Sequence, residues 1–258
     1  MSGRQHHVSV SLLDKAAAEF DILHYEYWPE TGQSSYEPEV SNTMARFVRP
    51  GDFAIDVGAN IGWFTIILSR LVGENGLVLA LEPDPRNFQI LSDNVSLNQI
   101  VNVQAVEVAL CEQDCTTKFW IMDHGGYSSL IKYANSFRYK ELLARSLDSL
   151  LAPSMGLVPR VIKIDCEGAE ESILRGAEKV LRQGVDCVIV EFNFQIMKSE
   201  RQIRDFMYGL GYDFFFIRSN GIEEPIFLNP GYGMTASETY TINVLFSTKD
   251  KVKQAWGK

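Results

Sequence analysis

From Gly51 onward, short apolar runs alternate with longer stretches in which apolar residues recur at helical spacing. Phe53–Val57, Leu77–Leu81, Val161–Ile164 and Val185–Val190 are near-continuous apolar runs of strand length, as expected of strands covered on both faces. Val101–Leu110 reads as another strand, and Phe214–Ile217 and Tyr240–Phe246 as the last two. Helices are predicted over Ile61–Leu71, Asn87–Leu97, Ala169–Leu181 and Arg201–Leu210. In Ala169–Leu181, one side carries Ile173, Leu174, Ala177, Val180 and Leu181. The other carries Glu170, Glu171, Arg175, Glu178 and Lys179, the division of a helix laid over a sheet. Upstream, Leu12–Phe20 has a helix-like pattern, followed by an aromatic, polar segment with His24, Tyr25, Tyr27, Trp28 and Tyr36.

Strand–helix alternation of this kind builds a parallel sheet with helices on both faces. The last two strands are separated by Gly221, Pro225, Pro230, Gly231 and Gly233 without a convincing helix. Parallel neighbours need a crossover, so this pair reads as antiparallel. The expected fold is α/β, Rossmann-like and doubly wound, a mostly parallel seven-stranded sheet with an antiparallel last strand. Residues 1–36 read as a helical and aromatic extension, and residues 37–258 as the domain. Residues 111–160 form an insertion far longer than the usual ~2–6 residue connection. It is expected to contain a hairpin (Thr117–Trp120 with Ser128–Lys132) and a short helix near Leu147–Leu151.

Composition narrows the classes. With 258 residues, 46% of them hydrophobic, the chain can bury the core of one large domain. The 33 acidic against 24 basic residues give a formal charge of −9, so there is no basic field for nucleic-acid phosphates or an anionic membrane. Neither partner is expected. Cys111, Cys115, Cys166 and Cys187 include no CxxC pair and no zinc spacing, which reads as free thiols in a reducing compartment. The start MSGRQHHVSV lacks an apolar signal core, and Ile61–Leu71 is too short to span a bilayer. A cytoplasmic location is the expectation.

The chemistry concentrates at strand ends. Asp56-Val57-Gly58-Ala59-Asn60-Ile61-Gly62 leaves the Phe53–Val57 strand and enters a helix, where open α/β sheets bind ligands. Gly58 permits a tight turn and close approach, and Gly62 permits close packing against the sheet. A dinucleotide turn would read G-x-G-x-x-G, pressed on a pyrophosphate. Here Asn60 replaces the middle glycine and an acid precedes the turn. Asp56 is unfavourable beside a pyrophosphate and favourable beside the ammonium of an amino-acid moiety. Glu82 ends the next strand, and a carboxylate there can accept from both ribose hydroxyls. Pro83, without an N–H, stops that strand. Two such acids around Gly58 and Gly62 point to S-adenosylmethionine (SAM). The competing reading is that Asp56 and Glu82 merely cap helices.

A second constellation follows Val161–Ile164 as Asp165-Cys166-Glu167-Gly168-Ala169-Glu170, and Glu191 ends the next strand ahead of Asn193. In a doubly wound sheet these ends adjoin the reactive end of the cofactor, making Asp165, Glu167 and Glu191 catalytic candidates. The structural alternative makes Asp165 or Glu167 a helix cap. Methyl transfer to a hydroxyl requires loss of its proton, to a general base or beside a metal that lowers its pKa. Asp165, Glu191 and Asn193 offer all-oxygen ligation, suited to Mg²⁺ rather than zinc. The Asn/Asp-Pro-Pro-Tyr/Phe turn of methylases acting on DNA-base amines is missing here. His124, among Gly125, Gly126, Tyr127, Ser128 and Ser129 of the insertion, is a further candidate base, against the alternative of an ordinary surface histidine.

Glu37–Ser41, Arg49-Pro50-Gly51-Asp52, Asp56–Gly62, Phe64-Thr65, Glu82-Pro83, Asn94, Leu97-Asn98, Ser146-Leu147-Asp148 and Lys163–Glu170 with Gly176-Ala177 together resemble the FkbM family of methyltransferases. The likeness runs over about residues 37–195, with Cys166 where valine is commoner. The resemblance implies a class I methyltransferase fold and O-methylation of a small hydroxylated acceptor: a sugar, glycan or secondary metabolite. It implies that Asp56, Gly58, Asn60 and Glu82 contact SAM and that Glu39 reaches its methionine end. N- or C-methyl transfer, or a noncatalytic SAM-binding domain, are the alternatives. Whether the chain forms a homo-oligomer stays open.

Overall fold

The computed structural model describes residues 4–12, 15–24, 36–121, 130, 138–154, 156–193, 200–217, 226–227 and 241–257. A hairpin of β1 (Arg4–Leu12) and β2 (Lys15–His24) precedes α1 (Pro38–Phe47). Then come β3 (Phe53–Val57), α2 (Trp63–Val72), β4 (Leu77–Leu81), α3 (Pro85–Leu97) and β5 (Val103–Val106). Residues 109–151 supply β6 (Ala109–Leu110), β7 (Cys115–Ile121), β8 (Arg138–Arg145) and α4 (Leu147–Leu151). The chain continues through β9 (Val161–Ile164), α5 (Glu170–Arg175), α6 (Glu178–Arg182), β10 (Cys187–Asn193) and α7 (Glu200–Gly209). It closes with β11 (Asp213–Phe216), β12 (Ile226–Phe227), β13 (Thr241–Ser247) and α8 (Lys249–Trp256). Among the described residues no helix is long and apolar enough to cross a membrane.

The main sheet runs β12-β11-β13-β10-β9-β3-β4-β5. β5, β4, β3, β9 and β10 are parallel, and β13 is antiparallel to both β10 and β11. This is the expected doubly wound order, with the two-residue β12 added at one edge. The chain winds outward from β3 through β4 to β5, then returns to β9 on the other side of β3. The crevice between β3 and β9 is therefore the switch point at which such sheets bind ligands.

Each strand divides its side chains between two faces. Phe53, Ile55 and Val57 of β3 join one core with Ile173, Leu174, Val180 and Leu181 from α5 and α6. Ala54 joins the other core, with residues of α1, α2 and the hairpin.

Some elements differ from the sequence pattern. Where Leu12–Phe20 suggests a helix, the chain forms the β1–β2 hairpin, because Val8, Val10, Leu12, Phe20 and Ile22 are buried at strand alternation. Burying such side chains is worth about 1.5–3 kcal/mol each, which binds the hairpin into the second core. Asn94 and Asn98 of α3 hold β2: Asn94 accepts from Leu23 N at 2.6 Å and Asn98 from Asp21 N at 2.9 Å. Their Nδ2 groups donate back to the carbonyls of Leu23 and Asp21. Val101–Leu110 is not one strand, since β5 stays in the main sheet while β6 pairs with β8 in a separate three-stranded sheet. There β7 pairs with β8; of residues 128–132, expected to pair with Thr117–Trp120, only Leu130 is among the described residues.

The expected single helix over Ala169–Leu181 breaks into α5 and α6. Gly176 lies against the Cys111 carbonyl, 2.1 Å from where a Cβ would stand. Asp148 restarts the helix by accepting from Lys179 N and Val180 N.

Candidate active site

Alternation within the strands decides which polar side chains meet. On the α1 and α2 face lie Ala54, Val161, Ile189 and Leu245. Two residues along each strand stand Asp56, Lys163, Glu191 and Asn243, so period two puts all four on that same face. The register sets Asp56 opposite Lys163 and Glu191 opposite Asn243. The sequence marks both new members: a lysine inside Val-Ile-Lys-Ile and an asparagine inside Thr-Ile-Asn-Val-Leu-Phe.

At the ends of β3 and β4, backbone geometry is set by Gly58 (φ 74°), Asn60 (φ 51°) and Gly62 (φ 95°). A Cβ on Gly58 would stand 1.9 Å from the Asp165 carbonyl oxygen, so only glycine fits where β3 and β9 converge. A Cβ on Gly62 would meet Leu91 of α3 at 2.6 Å, so the close packing is against a helix rather than a strand. Glu82 is buried and clamped, its Oε2 accepting from Asn60 N and its Oε1 from Asp84 N, both at 2.8 Å. Burial pushes its pKa up to about 8 against the pull of those two amides. A carboxylate offers about four acceptor positions, so two remain for a ligand. Pro83 follows, and Asp84 caps α3 by accepting from Arg86 N.

Asp56 is buried, and its Oδ2 accepts from Thr65 Oγ1 at 2.6 Å. Its Oδ1 has no hydrogen-bond partner among the described residues. Burial raises its pKa, opposed by the nearby Lys163 charge.

Lys163 is the buried cation between the two halves of the site. Its Nζ lies 3.1 Å from Asp165 Oδ2 and 4.6 Å from the centre of the Phe64 ring. Burial opposes its charge, but Asp165, Asp56 and Glu37 together raise its pKa above lysine's ordinary value.

Past Lys163, the turn Asp165–Ala169 is wound onto Glu170, whose Oε1 accepts from both Cys166 N and Gly168 N at 3.0 Å. That turn leaves Glu167 in a left-handed conformation, φ 52°. Asp165, Glu167 and Glu191 then offer carboxylate oxygens all within 4.8 Å of one another. Burial, then the charge of Asp165, push Glu167 up to about 8. Burial, then the charge of Asp165 and a hydrogen bond to it, push Glu191 up to about 10. Asn193 follows on β10, half-buried, two residues beyond Glu191.

Glu39 lies half-buried in the first turn of α1. His124 lies outside the described residues. At the start of α1, the Glu37 carboxyl lies near Lys163 and Asp165 and is hydrogen-bonded by Asn243.

The model of the Methyltransferase FkbM domain matches residues 56–214. The chain belongs to the FkbM methyltransferase family. Methyltransferase 1 of Beauveria bassiana (strain ARSEF 2860) is 28% identical over 159 residues, which cover 54% of this chain and 64% of that protein. Methyltransferase sdnD of Sordaria araneosa is 28% identical over 170 residues, 54% of this chain and 65% of that one. The match thus spans just under two thirds of each relative's length. The fold is that of class I SAM methyltransferases. One solved example is the 16S rRNA N2 G1207 methyltransferase of T. thermophilus in complex with AdoMet and guanosine. It is 12% identical, with a TM-score of 0.50 over 95% of this chain and 51% of that one. The FkbM match begins at Asp56 and takes in Gly58, Glu82, Lys163, Asp165, Glu167 and Glu191. Glu37 and Asn243 lie outside it, brought to this FkbM domain by α1 and β13.

Proposed function

We propose that this chain transfers the methyl group of SAM to a hydroxyl of a small acceptor such as a sugar, a glycan or a secondary metabolite. The observation that carries the reading is the Asp165, Glu167 and Glu191 carboxyl cluster, next to the turn where Gly58 meets the Asp165 backbone. The residues fit SAM on their own chemistry. Glu82 keeps acceptor positions for the ribose hydroxyls, and the orphaned Asp56 Oδ1 calls for a donor such as an ammonium.

When bound, SAM supplies an electrophilic methyl. The chain's own residues supply proton acceptance. Two carboxyls this close cannot both ionise at low cost, and the hydrogen bond between Glu191 and Asp165 couples them as one proton-accepting pair. The ionised member is the general base for the acceptor hydroxyl. Incubation with methyl-labelled SAM and a panel of sugars and polyols tests the assignment. Label in an ether product supports it; label on nitrogen or carbon, or no transfer across hydroxylated acceptors, contradicts it.

The same three carboxyls favour a second reading, in which they would hold Mg²⁺ through oxygen ligands and the ion would lower the pKa of the acceptor hydroxyl. Activity lost to a chelator and restored by Mg²⁺ supports that version, and full activity after chelation removes it. The T. thermophilus protein's RNA substrate is not carried over, because the likeness is one of fold and the chain's charge is −9.

A further inference from the structure

In the three-stranded sheet, a short turn carries a thiol at each foot. β6 and β7 lie on opposite sides of β8, and both run beside its last residues, Ala109 and Cys115 each pairing with Ala144. The connection between them therefore crosses the end of β8, where Cys111 N donates to the Arg145 carbonyl at 2.9 Å. That crossing brings the sulfurs of Cys111 and Cys115 to 3.8 Å, both as free thiols. Cys111 is buried, its Sγ donating to the Gln113 carbonyl at 2.8 Å, and Cys115 is exposed. Sulfurs in a disulfide stand about 2.0 Å apart, so a shift of about 2 Å separates this contact from a bond.

The same turn is tied to the helix behind the carboxyl cluster. Glu112 N donates to Ser172 Oγ at 2.9 Å, and the Cys111 carbonyl lies against Gly176. The turn thus touches α5 near its start and just past its end. Asp114 Oδ1 accepts from Ser146 N at 2.8 Å and from Ser149 Oγ at 2.6 Å, which holds the start of α4. Since α5 follows the Asp165–Ala169 turn, any change at the two cysteines bears on the backbone that carries the cluster.

We propose that Cys115 and Cys111 form a reversible disulfide on exposure to a hydroperoxide, fastening the insertion to α5. The exposed Cys115 thiol loses its proton and attacks one peroxide oxygen. The O–O bond breaks, water leaves, and Cys115 becomes a sulfenic acid. Cys111 then attacks the Cys115 sulfur and gives up its proton, and the hydroxyl leaves as a second water. The two sulfurs lose two electrons and the peroxide gains them. Burial keeps Cys111 protonated, its pKa pushed up to about 12, so the first attack falls to Cys115. Cys111 contributes by being held beside the sulfur it must reach. A dithiol reverses the reaction by taking over the bond as its own disulfide.

Intact-mass spectrometry and peptide mapping of the full chain test this. Hydrogen peroxide should remove the mass of two hydrogens, place the link between Cys111 and Cys115, and be undone by dithiothreitol. Cys111→Ser should instead keep a sulfenic acid on Cys115 that dimedone traps, and Cys115→Ser should lose no hydrogens. Closing so short a loop should raise the Tm of the linked wild type by roughly 4–8 °C over the reduced protein. A link through Cys166 or Cys187, a dimedone-trapped Cys115 in wild type, or thiols left unchanged would overturn the disulfide. An unchanged or lower Tm in the linked protein would overturn its role as a fastening.

Discussion

At the ends of β3 and β4, buried acids are held by neutral donors, whereas at the ends of β9 and β10 they are held against other acids. Glu82 takes one backbone N–H on each oxygen, and Asp56 takes the Thr65 hydroxyl. Across the switch point, Glu191 bonds to Asp165, and Glu167 is turned toward both by a left-handed residue and the Glu170 clamp. The first arrangement fixes orientation and leaves spare acceptor positions, as a receptor requires. The second makes proton affinity depend on the neighbours, as a group that must take and release a proton requires. In the proposed function, binding and proton handling are thereby separated along one sheet edge, with Lys163 between them.

The largest effect should come from joining the two halves wrongly. Gly58→Ala places a Cβ on the Asp165 carbonyl in a backbone conformation that disfavours alanine. A loss above about 4 kcal/mol is expected. The variant should be insoluble, or melt roughly 10 °C or more below wild type at ~2–4 °C per kcal/mol. A wild-type Tm would show that β3 and β9 are not this close.

Next comes the split between the halves. Glu191→Gln keeps the shape but removes the ionisable group, so methyl transfer should fall ~10²-fold or more. Affinity for S-adenosylhomocysteine should change less than about threefold. Parallel losses in both would merge the two regions into one.

A smaller, graded effect is expected with pH. Glu82 and Glu191 have folded pKa values of about 8 and about 10, against an ordinary 4.5. The folded state therefore holds protons that the unfolded chain releases. Their contribution to stability is complete below about pH 4.5 and is lost as pH rises through the folded values. The ligand-free Tm should fall between about pH 6 and pH 9, and Glu82→Gln should flatten that slope. The Glu191 contribution should persist to higher pH. A Tm that rises over this range would contradict the burial of both acids. The smallest effect belongs to the exposed Arg182–Glu178 pair on α6, where Arg182→Ala should cost under about 0.5 kcal/mol and leave both halves intact.

What could be read from the chain follows from how far each residue's partners lie. β3, β4, β9 and β10 were legible because strands buried on both faces are apolar runs. Asp56, Glu82, Asp165 and Glu191 were legible because each acid interrupts or ends such a run. The hairpin was obscured, since Lys15-Ala16-Ala17-Ala18-Glu19 is rich in helix formers while the burial of Val8, Val10 and Ile22 depends on α1, α2 and α3. The break at Gly176 comes where that glycine packs on the Cys111 carbonyl, 65 positions earlier (176 − 111). Glu37 and Asn243 meet only in the fold, so neither signals its role alone.

The central claim is that the β3–β4 edge binds the adenosyl cofactor, and calorimetric titration of S-adenosylhomocysteine into wild type and Glu82→Ala tests it most directly. Measurable binding by wild type and a loss of ~100-fold or more in Glu82→Ala, with the fold retained by circular dichroism, is the predicted result. Equal affinity in the two proteins would contradict the assignment of the pocket.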